Sequence, residues 1–165
     1  MPTHLPLPDL ETARPALAAE YAAARERGGS VMAIVRAMGP RVEVLRAFLD
    51  LADAALYGPA ALGRRERELL AVATSEANGA DYSTAIHAGL LRGRGGTDGS
   101  DRDGALTAFA TRLTLRPREA GEAVAALREH LTDDEVHDAI AVVGLLNLAN
   151  RTALATGITE ADDLT

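Results

Sequence analysis

Several polar side chains near the middle of the chain have the types and the spacing for proton transfer. Ser83 and His87 are four residues apart, so on a helix their side chains lie one above the other. The helical period places both in the same sector as the apolar residues of that segment, which predicts that they face inward. A buried hydroxyl and a buried imidazole need hydrogen-bond partners, and Glu68 and Glu76 are the nearest carboxylates along the chain. The spacing therefore permits a Glu–His–Ser cluster that takes up or releases a proton.

Each of these residues also has an ordinary structural interpretation. An inward histidine such as His87 is more often a core residue that bonds a carbonyl. Ser83, near a helix start, is more often bonded to the backbone. Glu68 also suits a solvated ion pair with Arg64 or Arg65. The local sequence leaves both interpretations open.

The composition excludes several other kinds of chemistry. The chain has no Cys and no Lys, which excludes thiol catalysis, disulfides, thiolate metal sites and lysine Schiff bases. His130 and His137 lack the spacing of a metal motif, so we predict neither a metal nor a cofactor. The net charge of -7 argues against binding to nucleic acid or an anionic membrane. The sequence shows no signal peptide and no run of about 18 apolar residues, which predicts a cytoplasmic protein without a membrane segment.

The hydrophobic pattern is helical along the whole chain. This predicts an all-α, single-domain bundle of about six to eight helices over residues 1–165. The first helix covers about Leu10 to Arg27, or begins at Pro15, because proline is tolerated only in the first turn. Ser30 is predicted to cap the second helix, and Pro40 to start the third.

Two further helices are predicted to carry the polar cluster. One covers residues 64–77 and stops at Asn78-Gly79, a pair typical of a helix C-terminus. The next begins at about residue 80 and ends at Arg92. Residues 93–102 are rich in glycine and are predicted to form a mobile loop. Thr132 to Glu135 has the pattern of a capping box that starts a long apolar helix.

The stretch that carries the polar cluster resembles the alkylhydroperoxidase D-like and carboxymuconolactone decarboxylase family. Redox members of that family carry a Glu, eleven residues, Cys-x-x-Cys, three residues and a His. At this spacing the chain has Glu68, Ala80, Ser83 and His87, so both cysteines are absent. The resemblance covers roughly residues 30 to 158. It also includes Arg64-Arg65-Glu66-Arg67-Glu68-Leu69-Leu70, Asn78-Gly79 and Leu145-Leu146-Asn147-Leu148-Ala149-Asn150-Arg151.

The resemblance implies that peroxidase activity is lost. In the redox members the second cysteine attacks the peroxide and the first resolves the sulfenic acid, while the Glu, the His and the residue before the second cysteine relay the proton. Here Ser83 and Ala80 stand at the cysteine positions, and Tyr82 precedes Ser83. A serine hydroxyl neither ionises usefully at neutral pH nor undergoes reversible thiol oxidation, and alanine cannot resolve an intermediate.

The resemblance also implies a route that needs no thiol. The decarboxylase branch works without the cysteine pair, on a small carboxylated lactone. We therefore expect a non-redox enzyme that catalyses decarboxylation, isomerisation or elimination of a small carboxylated or enolisable molecule. His87 is the expected general acid or base and Glu68 its orienting partner, while Tyr82 and Ser83 bind a carboxylate or enolate oxygen.

Two alternatives from other classes remain open. One is a thiol peroxidase whose cysteines at positions 80 and 83 have been replaced by mutation. The other is a non-catalytic binding or assembly protein on the same scaffold, which would have its pocket filled by Leu and Ile side chains. Family members are usually closed homo-oligomers, so we expect a homo-oligomer whose other partner is a small molecule.

Overall fold

Glycine and proline positions divide the chain into helices, as the hydrophobic pattern predicts. The computed structural model describes residues 3–163. Over this part of the chain there are eight α-helices and no strands, so the all-α prediction is confirmed. The helices are α1 (Pro15–Gly28), α2 (Ala33–Met38), α3 (Val42–Ala52), α4 (Arg64–Asn78), α5 (Asp81–Arg92), α6 (Asp101–Leu115), α7 (Ala120–Leu127) and α8 (Asp133–Thr156).

The first helix begins at the second of its two predicted starts, whereas the second and third helices begin differently from the predictions. The first helix begins at Pro15, not at Leu10, because proline lacks an amide proton and its fixed φ suits a first helical turn. Ser30 does not cap α2, whose N-cap position is occupied by Met32 without a side-chain cap. Instead, the Ala33 amide at the start of α2 donates to Asp163 Oδ1 at 2.5 Å. A residue far away in sequence thus supplies the cap that local sequence assigned to Ser30.

The third helix ends in a π-helical turn that covers Asp53–Tyr57. It starts at Val42, two residues after Pro40, and buries Leu45 and Phe48. Gly58 closes the π turn by donating its amide to Asp53 O at 2.6 Å. A Cβ atom on Gly58 would lie 2.7 Å from that oxygen, so only glycine fits this close turn.

Helices α4 and α5 form a tight hairpin around Gly79. Gly79 has a φ of 66°, in the left-handed region, and its amide bonds Glu76 O at 3.0 Å. The following amide, of Ala80, bonds Ser75 O at 2.9 Å. These are the bonds of a helix C-terminus closed by glycine. The hairpin folds α5 back along α4, which brings together residues that are 19 positions apart in sequence.

Helix α8 is the central helix of the protein. Thr132 and Glu135 form the predicted capping box, with the Thr132 amide 2.8 Å from the Glu135 carboxylate. The helix contacts α2, α3, α4, α5 and α6. Its 24 residues include an 18-residue window with mean hydropathy 1.3, so by length and composition alone it could cross a membrane. Half of that window is buried inside the protein, as is usual for the core helix of a soluble protein.

The glycine-rich segment is anchored at its base by an ion pair. Arg65 donates to both carboxylate oxygens of Asp103, at 2.8 and 2.7 Å, and to Gly96 O at 3.2 Å. Ser100 caps α6 by accepting from the Asp103 amide. Helix α6 therefore begins at Asp101, one residue before the predicted end of the 93–102 loop, because the cap and the ion pair extend the helix toward its N-terminus. The mobility of this loop stays a prediction.

Candidate active site

Glu68 is a buried carboxylate held from two sides. It lies on α4 and is 0% exposed. Its Oε1 atom accepts from Arg64, whose Nε lies at 2.9 Å and whose Nη2 also donates. Its Oε2 atom bonds His87 Nδ1 at 2.8 Å. Burial acts to raise the pKa of Glu68, but the hydrogen bonds and charges of His87 and Arg64 outweigh it and hold this pKa below its usual value. Glu68 is therefore an anion at neutral pH.

The bond to Glu68 also decides which nitrogen of His87 is available. An ionised carboxylate only accepts hydrogen bonds, so we assign the proton of neutral His87 to Nδ1. The Nε2 atom has no hydrogen-bond partner within residues 3–163, and the ring lines the cavity described below. Nε2, and not the bonded Nδ1, is therefore the ring nitrogen that is available at the cavity. The alternative interpretation of His87 as a core residue bonded to a carbonyl does not hold.

Ser83 lies one helical turn before His87 on α5. Its residue is 6% exposed and lines the same cavity. Among the described residues its hydroxyl has no hydrogen-bond partner, so the expected bond to the backbone is absent. Ala80 is also buried, but it does not line the cavity. The second of the two family cysteine positions thus faces the cavity, whereas the first packs behind it.

Tyr82 is buried and already uses its proton. Its hydroxyl donates to Asp163 Oδ1 at 3.0 Å, the same oxygen that accepts from the Ala33 amide. Burial, together with the Asp163 carboxylate, raises the pKa of Tyr82 far above its usual value. The phenol is therefore a permanent hydrogen-bond donor to Asp163. In this arrangement its hydroxyl is engaged with Asp163, and the residue lines the cavity.

A cavity of about 680 Å³ connects these residues. This volume lies within the usual range for small-molecule sites. The polar end contains Arg64, Ser83 and His87, and the opposite walls are mainly apolar. These apolar residues come from α1, α2, α3 with its π turn, α5 and α8, so no single helix defines the site: Ala24, Met32, Ile34, Val35, Phe48, Leu49, Ala52, Leu56, Ile86, Leu90, Leu145, Leu146 and Ala149.

Two residues of the site were not assigned from sequence. Arg64 was considered only as a solvated partner of Glu68, but its guanidinium stacks over Tyr57 at 4.4 Å and lines the cavity. The spacing of four between Arg64 and Glu68 was a usable signal for their ion pair. Asp163 had no such signal, because its contact with Tyr82 depends on the return of the C-terminal segment to α2.

The remaining candidates lie away from the cavity. Glu76, considered beside Glu68 as a partner, is exposed near the end of α4, as are His130 and His137 elsewhere. Within the part of the chain that the structure describes, no group of three or more His, Asp or Glu side chains is placed to hold a metal ion. Of the acid–base candidates assigned from sequence, His87 lines the cavity and Glu68 lies behind it, bonded to its Nδ1 atom. The carboxylates of Asp53 and Asp163 also line the cavity.

The all-α fold holds an Arg–Glu–His cluster at a cavity of small-molecule size. Several known proteins are similar to this chain in sequence or in fold. Residues 43–100 match the carboxymuconolactone decarboxylase family. The alkylhydroperoxidase AhpD core of an uncharacterized peroxidase-related protein from Ralstonia eutropha has a TM-score of 0.83 and 26% identity, over 96% of this chain and 92% of that one. An uncharacterized peroxidase-related protein from Silicibacter sp. has a TM-score of 0.83 and 25% identity, over 96% and 91%.

A more distant structure shares only the fold. The debrominase Bmp8 in complex with 2,3,4-tribromopyrrole has a TM-score of 0.78 and 17% identity, over 97% of this chain and 92% of that one. No curated protein sequence matches the chain significantly. The family match and the two peroxidase-related structures confirm the resemblance inferred from the motif: residues 43–100 match the carboxymuconolactone decarboxylase family, and the fold is that of the alkylhydroperoxidase D-like structures. The chain itself has no cysteine.

Proposed function

We propose that this protein is a non-redox enzyme that moves a proton on a small carboxylated or enolisable molecule. The reaction classes that fit are decarboxylation, isomerisation and elimination. The observation that carries the proposal is the Arg64–Glu68–His87 cluster at the polar end of an otherwise apolar cavity. Apolar walls lower the local dielectric constant, which strengthens the electrostatic interactions of the cluster.

In this proposal His87 is the general base and then the general acid. Its Nε2 atom removes a proton from carbon, and the imidazolium that forms is stabilised by the ionised Glu68 at 2.8 Å. Arg64 holds the other oxygen of Glu68, so the carboxylate keeps its orientation when the charge on His87 changes. The substrate oxygen on which negative charge develops accepts a hydrogen bond from the unpaired hydroxyl of Ser83.

The binding site for a carboxylate lies beside this cluster. Arg64 uses Nε and Nη2 on Glu68, so the rest of its guanidinium remains for an anion in the cavity. Arg94 also lines the cavity, and among the described residues its guanidinium bonds only the Leu90 carbonyl. The carboxylates of Asp53 and Asp163 share this lining, so the two guanidinium groups are the groups that can bind a substrate carboxylate, and the apolar walls favour a molecule with an apolar body.

The thiol-peroxidase alternative rests on the position of Ser83. Ser83 faces the cavity beside His87, and related structures are peroxidase-related proteins. Nothing in the present side chains replaces the missing thiol chemistry, so this alternative requires cysteine at positions 80 and 83.

The alternative of a non-catalytic binding or assembly protein is less well supported. It predicts a cavity filled by Leu and Ile, whereas this cavity is open and has an ionised, hydrogen-bonded cluster at one end.

We also propose that the helices act as one domain in a cytoplasmic homo-oligomer.

The proposal can be tested with an elimination reaction that needs only a correctly positioned base. The probe is 5-nitrobenzisoxazole, an apolar molecule that releases a coloured phenolate after a single proton is removed from carbon. We expect saturable elimination by the protein, a loss of about 10²-fold or more in kcat/KM for His87→Ala, and a smaller loss for Glu68→Gln.

The matched control is His137→Ala, which removes an exposed histidine outside the cavity. It should leave the rate unchanged. Elimination that is equal in the His87→Ala and His137→Ala variants, or no faster than free imidazole at the same concentration, would refute the proposal.

A further inference from the structure

The hydroxyl of Ser83 lies at the cavity wall without a protein partner. The residue is 6% exposed, it lines the cavity, and its hydroxyl bonds no other group among residues 3–163. A serine in a helix commonly bonds a nearby backbone group, whereas this hydroxyl is left free at the cavity. It is therefore available to act on a bound molecule.

A base already stands next to this hydroxyl on the same helix. Residues four apart on a helix have Cβ atoms about 5–6 Å apart, and helical side chains lean toward the N-terminus, so the ring of His87 leans toward Ser83. The two side chains do not hydrogen-bond in the structure. Because the hydroxyl has no protein partner to lose, rotation about the Ser83 Cα–Cβ bond breaks no existing interaction.

The start of α5 can stabilise an anion at the same place. The amides of Asp81, Tyr82 and Ser83 form the first turn of α5, and none of them has a hydrogen-bond partner in the described part of the chain. Free first-turn amides carry the positive end of the helix dipole. They lower the energy of negative charge near Ser83, such as that of a tetrahedral oxyanion.

We propose that Ser83 is a nucleophile for acyl transfer, with His87 as its base and Glu68 as the residue that orients His87. A nucleophilic serine need not ionise in advance, because the base removes its proton as the new bond forms. The activity goes beyond proton transfer on carbon, although it depends on the same base as the proposed function. The substrate class is a small ester with an apolar acyl group, which matches the apolar walls of the cavity.

The reaction balances with water as the co-reactant. Ser83 Oγ bonds the carbonyl carbon of the ester while His87 Nε2 takes the hydroxyl proton. The bond between that carbon and the alcohol oxygen then breaks, and His87 returns the proton to the departing alcohol. Water then attacks the carbonyl carbon of the acyl-serine while His87 Nε2 takes one of its protons. The bond between that carbon and Ser83 Oγ breaks, His87 returns the proton to Oγ, and the carboxylic acid leaves.

The first test uses a fluorophosphonate, which reacts with an activated serine through loss of fluoride. We expect peptide mapping by mass spectrometry to place the phosphonyl group on Ser83, and Ser83→Ala to abolish the label. The matched control is Thr84→Ala, the adjacent hydroxyl of the same helix, which does not line the cavity. This variant should react like the parent protein. Absence of label on Ser83 in the folded parent would overturn the inference.

The second test measures hydrolysis of p-nitrophenyl acetate. We expect kcat/KM to fall by about 10²-fold or more in Ser83→Ala and in His87→Asn, whereas Ser83→Cys still forms an acyl-enzyme. Hydrolysis that persists in folded Ser83→Ala would overturn the inference. A parent protein that eliminates 5-nitrobenzisoxazole but is not acylated refutes only the serine nucleophile, and a parent protein that does neither refutes the proposed function as well.

Discussion

The replacement Glu68→Gln tests the buried cluster through stability as well as activity. The substitution keeps the size of the side chain but removes the charge that accepts from Arg64 and His87. Removing one member of a buried ion pair costs about 3–5 kcal/mol. The Arg64 side chain is 24% exposed and can turn to water, and His87 can stay neutral, so we expect a loss near the value of one charged hydrogen bond, about 2–3 kcal/mol.

This loss corresponds to a fall in melting temperature of roughly 5–10 °C, because 1 kcal/mol shifts Tm by about 2–4 °C in a chain of this size. The loss should also depend on pH. The pKa of Glu68 is lowered in the folded protein. Its charge therefore contributes stability that is fully present above the pKa of an unfolded glutamate, about 4.3, and is lost as pH falls through the lower, folded pKa.

Thermal unfolding of both proteins between pH 7 and about pH 3 measures this effect. The gap in Tm between the parent and Glu68→Gln should be largest near neutral pH and should narrow in acid. Glu76→Gln, an exposed residue of the same helix, is the matched control and should show almost no gap. A gap for Glu68→Gln that stays constant from neutral to acid pH would show that the carboxylate charge is not what this site depends on.

Two further results are expected. The double variant Ala80→Cys/Ser83→Cys restores the family pattern and should consume peroxide in the presence of a dithiol reductant. The reason is that both positions are buried at the start of α5, beside the intact Glu–His pair. Peroxide consumption by the parent protein would contradict the assignment of Ser83 as redox-inactive. Tyr82→Phe should remove the donor to Asp163 and speed hydrogen–deuterium exchange of the Ala33 amide, which shares that carboxylate. Unchanged exchange at Ala33 would mean that Tyr82 does not hold the C-terminal segment in place.

The local features of the helices were predictable because their causes are local. Pro15 marks a helix start, Gly79 permits the left-handed turn between α4 and α5, and Thr132 caps α8, each through bonds within a few residues. The assignment of Ser30 as a cap was wrong because the actual partner of the α2 amide is Asp163, 130 positions away from Ala33. The capping signal in the sequence was plausible, but a tertiary contact replaced it.

By itself the sequence determined the helical class and the exclusion of thiol chemistry, and its spaced motif, through the family resemblance, singled out Glu68 and His87 as a pair. These depend on composition, on the helical period and on a hairpin of two consecutive helices. Tertiary structure alone decided that Arg64 secures the second oxygen of Glu68, that the Tyr82 proton belongs to Asp163 and that the Ser83 hydroxyl is left unpaired. Six helices contribute residues to the cavity wall. The periodicity within one segment cannot specify which side chains from distant segments meet there, because that depends on how the helices pack.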